Sequence, residues 1–334
     1  MLEPSWQGRR VSVRRVVERR ADGRLLQGDL VGELVALDEV SATVSTARGQ
    51  VETPLALITA ARLVPPSTAE ELALERSAAL LLQPAHVEQL SGWLLRADAG
   101  FTARANSALP VGQLTLPLDE ALAQARRWYA ERGLPLQFQV PVESRRLLDA
   151  ELGERGWPAS GGVDVLVAPL HRLAVVDSAS VELADEPDDG WLALYRGGAG
   201  LGAAQRALLT RPAQEPEIWP RAARHAEQRG ATGPGPTVFA AVREHGEVIA
   251  TARGRVSGDW VGVMAVEVAP AARRRGLAGA VMRRLAGWAV ERGATRGYVQ
   301  VSIDNATGLA LYERLGFWRH HSYHYRLDPG VPAR

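Results

Sequence analysis

The sequence predicts an α/β (α+β) protein in three blocks, a small all-β block followed by two blocks that mix helices and strands. Period-two alternation broken by short turn segments fills the first 65 residues. Beyond Pro65-Pro66, helical periodicity alternates with β-rich runs. The longest apolar runs, such as Ala78 to Leu82, are too short to span a bilayer, so no membrane partner is expected.

In the first block, 1–65, Arg10-Val11-Ser12-Val13, Leu34-Val35-Ala36-Leu37, Ala42-Thr43-Val44-Ser45-Thr46 and Val51-Glu52-Thr53-Pro54 read as strands, with Ala21-Asp22-Gly23 as a turn. This predicts a small antiparallel barrel or sandwich. Thr68 with Glu71 then forms a capping-box pattern opening a helix to about residue 82. The second block, 66–172, reads as a strand over 87–96, a helix over 118–132, a strand over 134–140, a helix over 144–154 and a strand over 163–167. The third block, 173–334, opens with helical segments within 188–229 and a Gly- and Pro-rich loop over 230–236. Strands over 238–242, 248–256 and 260–268 follow, then a long helix over 276–292. A strand over 298–303, a short helix over 306–315 and a last strand over 317–327 complete it. The second and third blocks have similar length and type, which suggests an internal duplication.

Composition narrows the chemistry. The chain has no cysteine, which excludes disulfides, thiolate zinc sites and cysteine-linked intermediates and fits the cytoplasm. The segment Met1 to Trp6 has no charged region leading into an apolar one, so no secretory signal is expected. All 39 basic residues counted with lysine are arginine, against 38 acidic ones, and this near-neutral balance argues against nucleic acid. Arg9, Arg10, Arg14, Arg15, Arg19 and Arg20 make a basic run, but the block that holds them is nearly neutral, as outward-facing strand arginines would leave it.

One segment stands out. An expected strand ending in Val266-Glu267-Val268 runs into Pro270, and Arg273-Arg274-Arg275-Gly276-Leu277-Ala278 then opens a helix. A glycine there lets the backbone approach a ligand, and the N–H groups of a first helical turn bind phosphate. Three arginines beside such a turn suit the pyrophosphate and ribose phosphate of coenzyme A. Alone the pattern is weak: composition produces an Arg three places before a Gly about four times, and Arg20-Ala21-Asp22-Gly23 is such a decoy. About thirty residues on, however, stands Asn305-Ala306-Thr307-Gly308-Leu309-Ala310-Leu311-Tyr312-Glu313-Arg314-Leu315-Gly316-Phe317.

Together the two stretches resemble the cofactor motifs of the GNAT superfamily of acetyl-CoA-dependent N-acetyltransferases. The first, (Gln/Arg)-x-x-Gly-x-(Gly/Ala), matches at Arg273, Gly276 and Ala278, and the second at Asn305, Leu311, Tyr312, Gly316 and Phe317. Gly308 departs from it, standing where alanine is usual, and is expected to loosen local packing only. The resemblance covers about 181–327 and implies a GNAT fold with a central mixed sheet. More loosely, Gly92-Trp93-Leu94-Leu95-Arg96, Arg104-Ala105-Asn106-Ser107, Gly258-Asp259-Trp260 and Tyr323-His324-Tyr325-Arg326 resemble proteins with an SH3-like N-terminal β-barrel and tandem GNAT-like halves, often named N-acetylglutamate synthases. That layout implies a GNAT-like middle block.

The resemblance implies that the backbone of Val266 and Val268 pairs with the pantetheine arm, and that Arg273, Arg274, Arg275, Gly276, Leu277 and Ala278 cradle the pyrophosphate. It makes Tyr312 the general acid and Asn305 a contact to the cofactor arm, alongside a helix N-cap role. Glu267, the one carboxylate in the cofactor strand, is the candidate base; a solvated strand residue or an ion-pair partner is its alternative. Asp259 is the second candidate, although Gly258-Asp259 also reads as a hairpin turn. Arg104, Arg253, Arg255, Trp260, His324 and Tyr325 are candidate acceptor contacts. His320 and His321 are adjacent, so they are expected on opposite strand faces, a poor chelating pair, and no metal is assigned. The middle block has no Arg-x-x-Gly over 85–170, and Gln89-x-x-Gly92 is followed by Leu94 where a small residue is needed. One acetyl-CoA per chain is therefore expected. The leading expectation is acetyl transfer to a small amine, such as the amino acid glutamate. A protein or peptide acetyltransferase with the barrel as docking module, and a non-catalytic acyl-CoA sensor, are the alternatives.

Overall fold

The computed structural model describes residues 2–173, 180–195, 201–212 and 234–330. The chain divides into two compact units, Met1–Ser67 and Thr68–Arg334.

In the first unit, β1 (Arg10–Arg19), β2 (Leu25–Leu37), β3 (Ser41–Thr46), β4 (Gly49–Pro54) and β5 (Ile58–Leu63) form one antiparallel sheet in the order β4-β3-β2-β1-β5. Alternation buries Val11, Val13, Leu34, Ala42 and Val44 on one face. The expected barrel is not closed: the ladder starts at β4 and ends at β5, and no pairing joins these two strands among the described residues.

The second unit is built on one eight-stranded mixed sheet, in the order β11-β12-β13-β14-β15-β10-β16-β9. Its strands are β9 (Gln137–Pro141), β10 (Ala159–Pro169), β11 (Val181–Ala184), β12 (Pro234–Glu244), β13 (Glu247–Ser257), β14 (Trp260–Val268), β15 (Arg296–Ser302) and β16 (Trp318–Leu327). The boundary expected at 172/173 therefore runs through a shared sheet, because β10 lies between β15 and β16. A three-stranded sheet of β6 (His86–Leu90), β7 (Trp93–Ala97) and β8 (Leu109–Pro110) stands beside it.

Seven helices complete the described residues: α1 (Thr68–Ala79), α2 (Leu118–Ala130), α3 (Arg146–Glu154), α4 (Asp189–Leu194), α5 (Ala203–Thr210), α6 (Leu277–Val290) and α7 (Ala306–Arg314). One sheet face packs Val281, Met282, Leu285 and Ala289 of α6 with Tyr312 and Phe317. The other packs Leu74 of α1, Trp191 of α4 and Leu208 of α5 against Val165, Phe239 and Tyr298.

Four local expectations are corrected. The strand expected over 87–96 is the hairpin β6–β7, turned by Ser91 (φ 46°) and Gly92 (φ 84°); a Cβ on Gly92 would lie 2.3 Å from the Gln113 carbonyl. Of the loop expected over 230–236, residues 230–233 lie outside the described residues, while Pro234 to Pro236 begin β12. Those prolines are tolerated because β11 pairs only with residues 239–242, so this flank of β12 is an edge. Glu71, expected to reach back to Thr68, is 2% exposed and takes the Ser144 N–H at 3.5 Å. Finally, His320 and His321 do not point apart: the β10–β16 register shifts at this place, and the bulge brings their Nδ1 atoms to 2.8 Å.

Candidate active site

The site begins with a parallel strand pair that separates. Trp260, Val261, Gly262 and Val263 of β14 pair with Arg296, Gly297, Tyr298 and Val299 of β15, and there the ladder stops. Ala265, a non-glycine at φ 55°, is the cause. The β13–β14 register jumps from Arg253↔Met264 to Thr251↔Glu267, one residue more on β14, and Thr251 Oγ1 donates to the Ala265 carbonyl at 3.1 Å. This β-bulge bends Val266 to Val268 away from Gln300 to Ser302 and leaves backbone on the flank of the gap.

Past Val268 the chain turns sharply through Pro270–Ala272 to α6. Arg274 (φ 61°) and Gly276 (φ 79°, the N-cap) are left-handed, a backbone that gathers N–H groups into an anion-binding concavity at a helix N-terminus. Nothing lies within 4 Å of a Cβ built on Gly276, so the concavity is open. Arg273 Nε donates to the Val268 carbonyl (3.3 Å), while Arg275 makes a bidentate pair with Glu244 (2.8 and 2.9 Å). All three arginines are exposed, and Leu277 and Ala278 are half-buried at the helix start.

Asn305 caps α7, its Oδ1 accepting the Gly308 N–H at 2.9 Å. A Cβ on residue 308 would lie 2.7 Å from Asn305 Nδ2, so Gly308 makes room for the cap rather than merely loosening the packing. Tyr312 is 8% exposed and meets Phe317 edge-on, centroids 5.6 Å apart. Burial, and then the charge of Glu267, push its hydroxyl up to about 12, with Arg104 pulling the other way. The phenol therefore keeps its proton at neutral pH, and Tyr312 lies within electrostatic reach of both Glu267 and Arg104.

The candidate acceptor contacts divide. Arg104 donates to Gln300 Oε1 (2.9 Å), on the first β15 residue beyond the pairing, so it stands at the gap. Arg253 and Arg255 are buried on the same side of the sheet, and Tyr325 packs against Tyr323 there. His324 does not join them: it faces the opposite side, where its Nε2 meets Asp149 of α3 at 2.7 Å. Trp260 lies under Arg296 (4.4 Å to the ring) at the far end of β14 from Glu267. Asp259 belongs to that end too, as the hairpin turn, with its carboxylate 2.5 Å from Arg296.

Sequence reading missed a buried network on this face. Glu75, fully buried, accepts from Gln139 Nε2 (2.7 Å) and lies 2.8 Å from His321 Nε2; Gln139 Oε1 in turn accepts from Arg96 (2.9 Å). The available signal was the pair Glu71 and Glu75, one helical turn apart on the face of α1 that also carries Ala79.

Residues 68–326 match the family model described as "Probable histone acetyltransferase Rv0428c C-terminal". The chain is 32% identical over 328 residues to the probable histone acetyltransferase Rv0428c of Mycobacterium tuberculosis, covering 96% of each. It is 26% identical to the uncharacterized N-acetyltransferase YobR of Bacillus subtilis over 73% of this chain and 93% of that protein. The fold is similar to that of a GCN5-related N-acetyltransferase from Kribbella flavida (TM-score 0.51, 17% identity, 79% of this chain and 96% of that one). It is also similar to a tandem GNAT protein from the clavulanic acid biosynthesis pathway (TM-score 0.50, 14% identity, 81% and 92%). The chain thus belongs to the Rv0428c C-terminal family and is an N-acetyltransferase of the GNAT superfamily.

Proposed function

We propose that the chain acetylates a small amine by direct attack within a ternary complex of enzyme, acetyl-CoA and acceptor. The supporting observation is the placing of Tyr312, a phenol kept protonated by burial and electrostatically linked both to the bulged strand through Glu267 and to the gap through Arg104. The residues fit acetyl-CoA: the open left-handed turn at Gly276 and the N–H groups of Leu277 and Ala278 suit a pyrophosphate, with Arg273 and Arg274 beside them. Arg275, already paired with Glu244, contributes positive potential at the rim. Val266 and Val268 offer backbone groups to the pantetheine arm, and Asn305 offers Nδ2. When bound, the cofactor supplies the acetyl thioester. The chain's own part is to hold a proton on the Tyr312 hydroxyl for the departing thiolate and to collect the amine proton, directly or through water, at Glu267. Amino acids such as glutamate are the first acceptors to try, and release of free thiol across a panel of amines tests the reading; no release with any amine would leave a non-catalytic acyl-CoA sensor.

A second reading, acetylation of a protein or peptide with the N-terminal unit, an SH3-like module in this reading, as docking surface, is favoured by the name of the M. tuberculosis relative. Acetylation of lysine-rich peptides in preference to every small amine would select it.

A further inference from the structure

The sheet face away from α6 holds positive charge from the β13 arginines expected among the acceptor contacts. Arg253 and Arg255 stand two residues apart on β13, 0% and 1% exposed. Arg253 donates to the carbonyls of Leu209 (3.0 Å) and Leu81 (2.7 Å), yet its remaining terminal nitrogen has no hydrogen-bond partner among the described residues. At Arg255 all three guanidinium nitrogens are buried without a partner among the described residues. Among the described residues no carboxylate pairs with either: Asp98 is held by Arg211 (2.5 Å), Asp259 by Arg296 (2.5 Å) and Glu75 by His321 (2.8 Å). Burial, then repulsion by Arg255, brings Arg253 down to about 9, and burial brings Arg255 down to about 10. Both still carry charge at neutral pH.

These charges surround Tyr298, in the last paired stretch before the gap. The Tyr298 hydroxyl feels Arg255, Arg104 and Arg253, and it lies over Gly262, where a Cβ would come within 2.3 Å of it. Gly262 pairs with Arg255, and Met264, next to the bulge, pairs with Arg253. Arg253 is thus level with the point where β14 leaves β15, with Arg255 about 7 Å further along the strand. Arg104 stands on the other side, on Gln300. Between Arg104, Gln300, Arg96 and Gln139 is an enclosed space of about 10 Å³, room for one water.

We propose that this guanidinium cluster receives the carboxylate of the acceptor, so that the acetylated amine belongs to a carboxylate-bearing small molecule. The inference rests on the acetyl-transfer reading above and names its acceptor class. Unpaired buried guanidiniums are expensive, and a carboxylate is the planar anion they match. Arg104, the half-buried member, meets it at the gap; Arg253 and Arg255 supply the field behind. The same field disfavours an ammonium and so promotes the neutral amine that attacks the thioester. A lysine-rich peptide without a nearby carboxylate would be repelled by it.

The test uses the full chain with glycine, alanine, glutamate and phenylalanine, each paired with its C-terminal amide, and a lysine-rich peptide amide. Thermal stabilisation of the protein by each compound, without acetyl-CoA, is read beside acetylation with acetyl-CoA. At least one acid should stabilise and be acetylated with a kcat/KM at least tenfold above its amide. Arg104→Gln should bring that ratio to within about threefold. Arg255→Met should do the same while raising the melting temperature, because it removes an unpaired buried charge. Equal behaviour of acids and amides, preference for the lysine-rich amide, or a normal acid-to-amide ratio in both variants would overturn the proposal. If acids stabilise more than amides but nothing is acetylated, the carboxylate site stands and the acetyl-transfer reading falls. Should Arg255→Met not fold, the wild-type ratio and Arg104→Gln decide.

Discussion

Single side chains carry the sharpest expectations. Tyr312 has a protonated hydroxyl in a packed setting, so Tyr312→Phe should keep the Phe317 contact and cofactor affinity while turnover falls by about 10²-fold. Unchanged turnover would remove the acid role. Gly276→Asp should leave the fold intact, since the space around its Cβ is open and aspartate tolerates left-handed φ better than most residues. It should abolish thermal stabilisation by acetyl-CoA, because a carboxylate would occupy the phosphate's place; stabilisation equal to wild type would refute that cradle. His320 sets an acid limit. Burial first, then His321, hold its pKa down to about 3, so the unfolded chain takes up a proton near pH 6.5 while the folded chain does not. Its contribution to stability is full above pH 6.5 and is lost as pH falls from there toward 3. Unfolding of His320→Gln followed between pH 7 and 4 should therefore show a shallower loss than wild type. Of these three positions, Tyr312 and Gly276 stood out in the sequence through their motif spacing. The setting of His320 was hidden, because a bulge breaks the alternation from which side-chain direction is read.

At the level of elements, the bulge in β14 is the device that opens the site. Ala265→Gly removes the left-handed penalty and should keep stability within about 1 kcal/mol. Ala265→Val puts a β-branched residue at positive φ, and its denaturation midpoint should report a loss of about 1–2 kcal/mol together with weaker acetyl-CoA binding. Equal midpoints for Val and Gly would mean that the turn at 265 is not held by its neighbours. The strand over 260–268 was legible end to end from alternation, and the helix starting at Gly276 from its glycine and its apolar spacing. The separation of β14 from β15 was not, because Met264-Ala265-Val266 has nothing in it that forbids continued pairing. Likewise, the Ser91-Gly92 turn was read through as strand because apolar and aromatic residues flank it on both sides.

The whole molecule divides at Ser67, and all the candidate site residues lie beyond it, in Thr68–Arg334. A chain beginning at Thr68 should unfold cooperatively and keep acetyl transfer to a small amine; loss of activity in a folded product would show that the N-terminal unit is needed for catalysis. Titration calorimetry should find one acetyl-CoA per chain, since among the described helices only α6 begins at an Arg-x-x-Gly-x-Ala turn. By itself the sequence determined the element types, the two cofactor motifs in order and the acetyl-transfer chemistry they imply, because those signals are local: spacing, turn residues and helix starts. Tertiary structure alone decided that β10, from the middle of the chain, completes the sheet between β15 and β16. It also set His324 against Asp149 of α3 and brought Arg104 to Gln300 across 196 residues. Those outcomes depend on strand order, register and long-range packing, which a period-two or period-3.6 pattern does not encode.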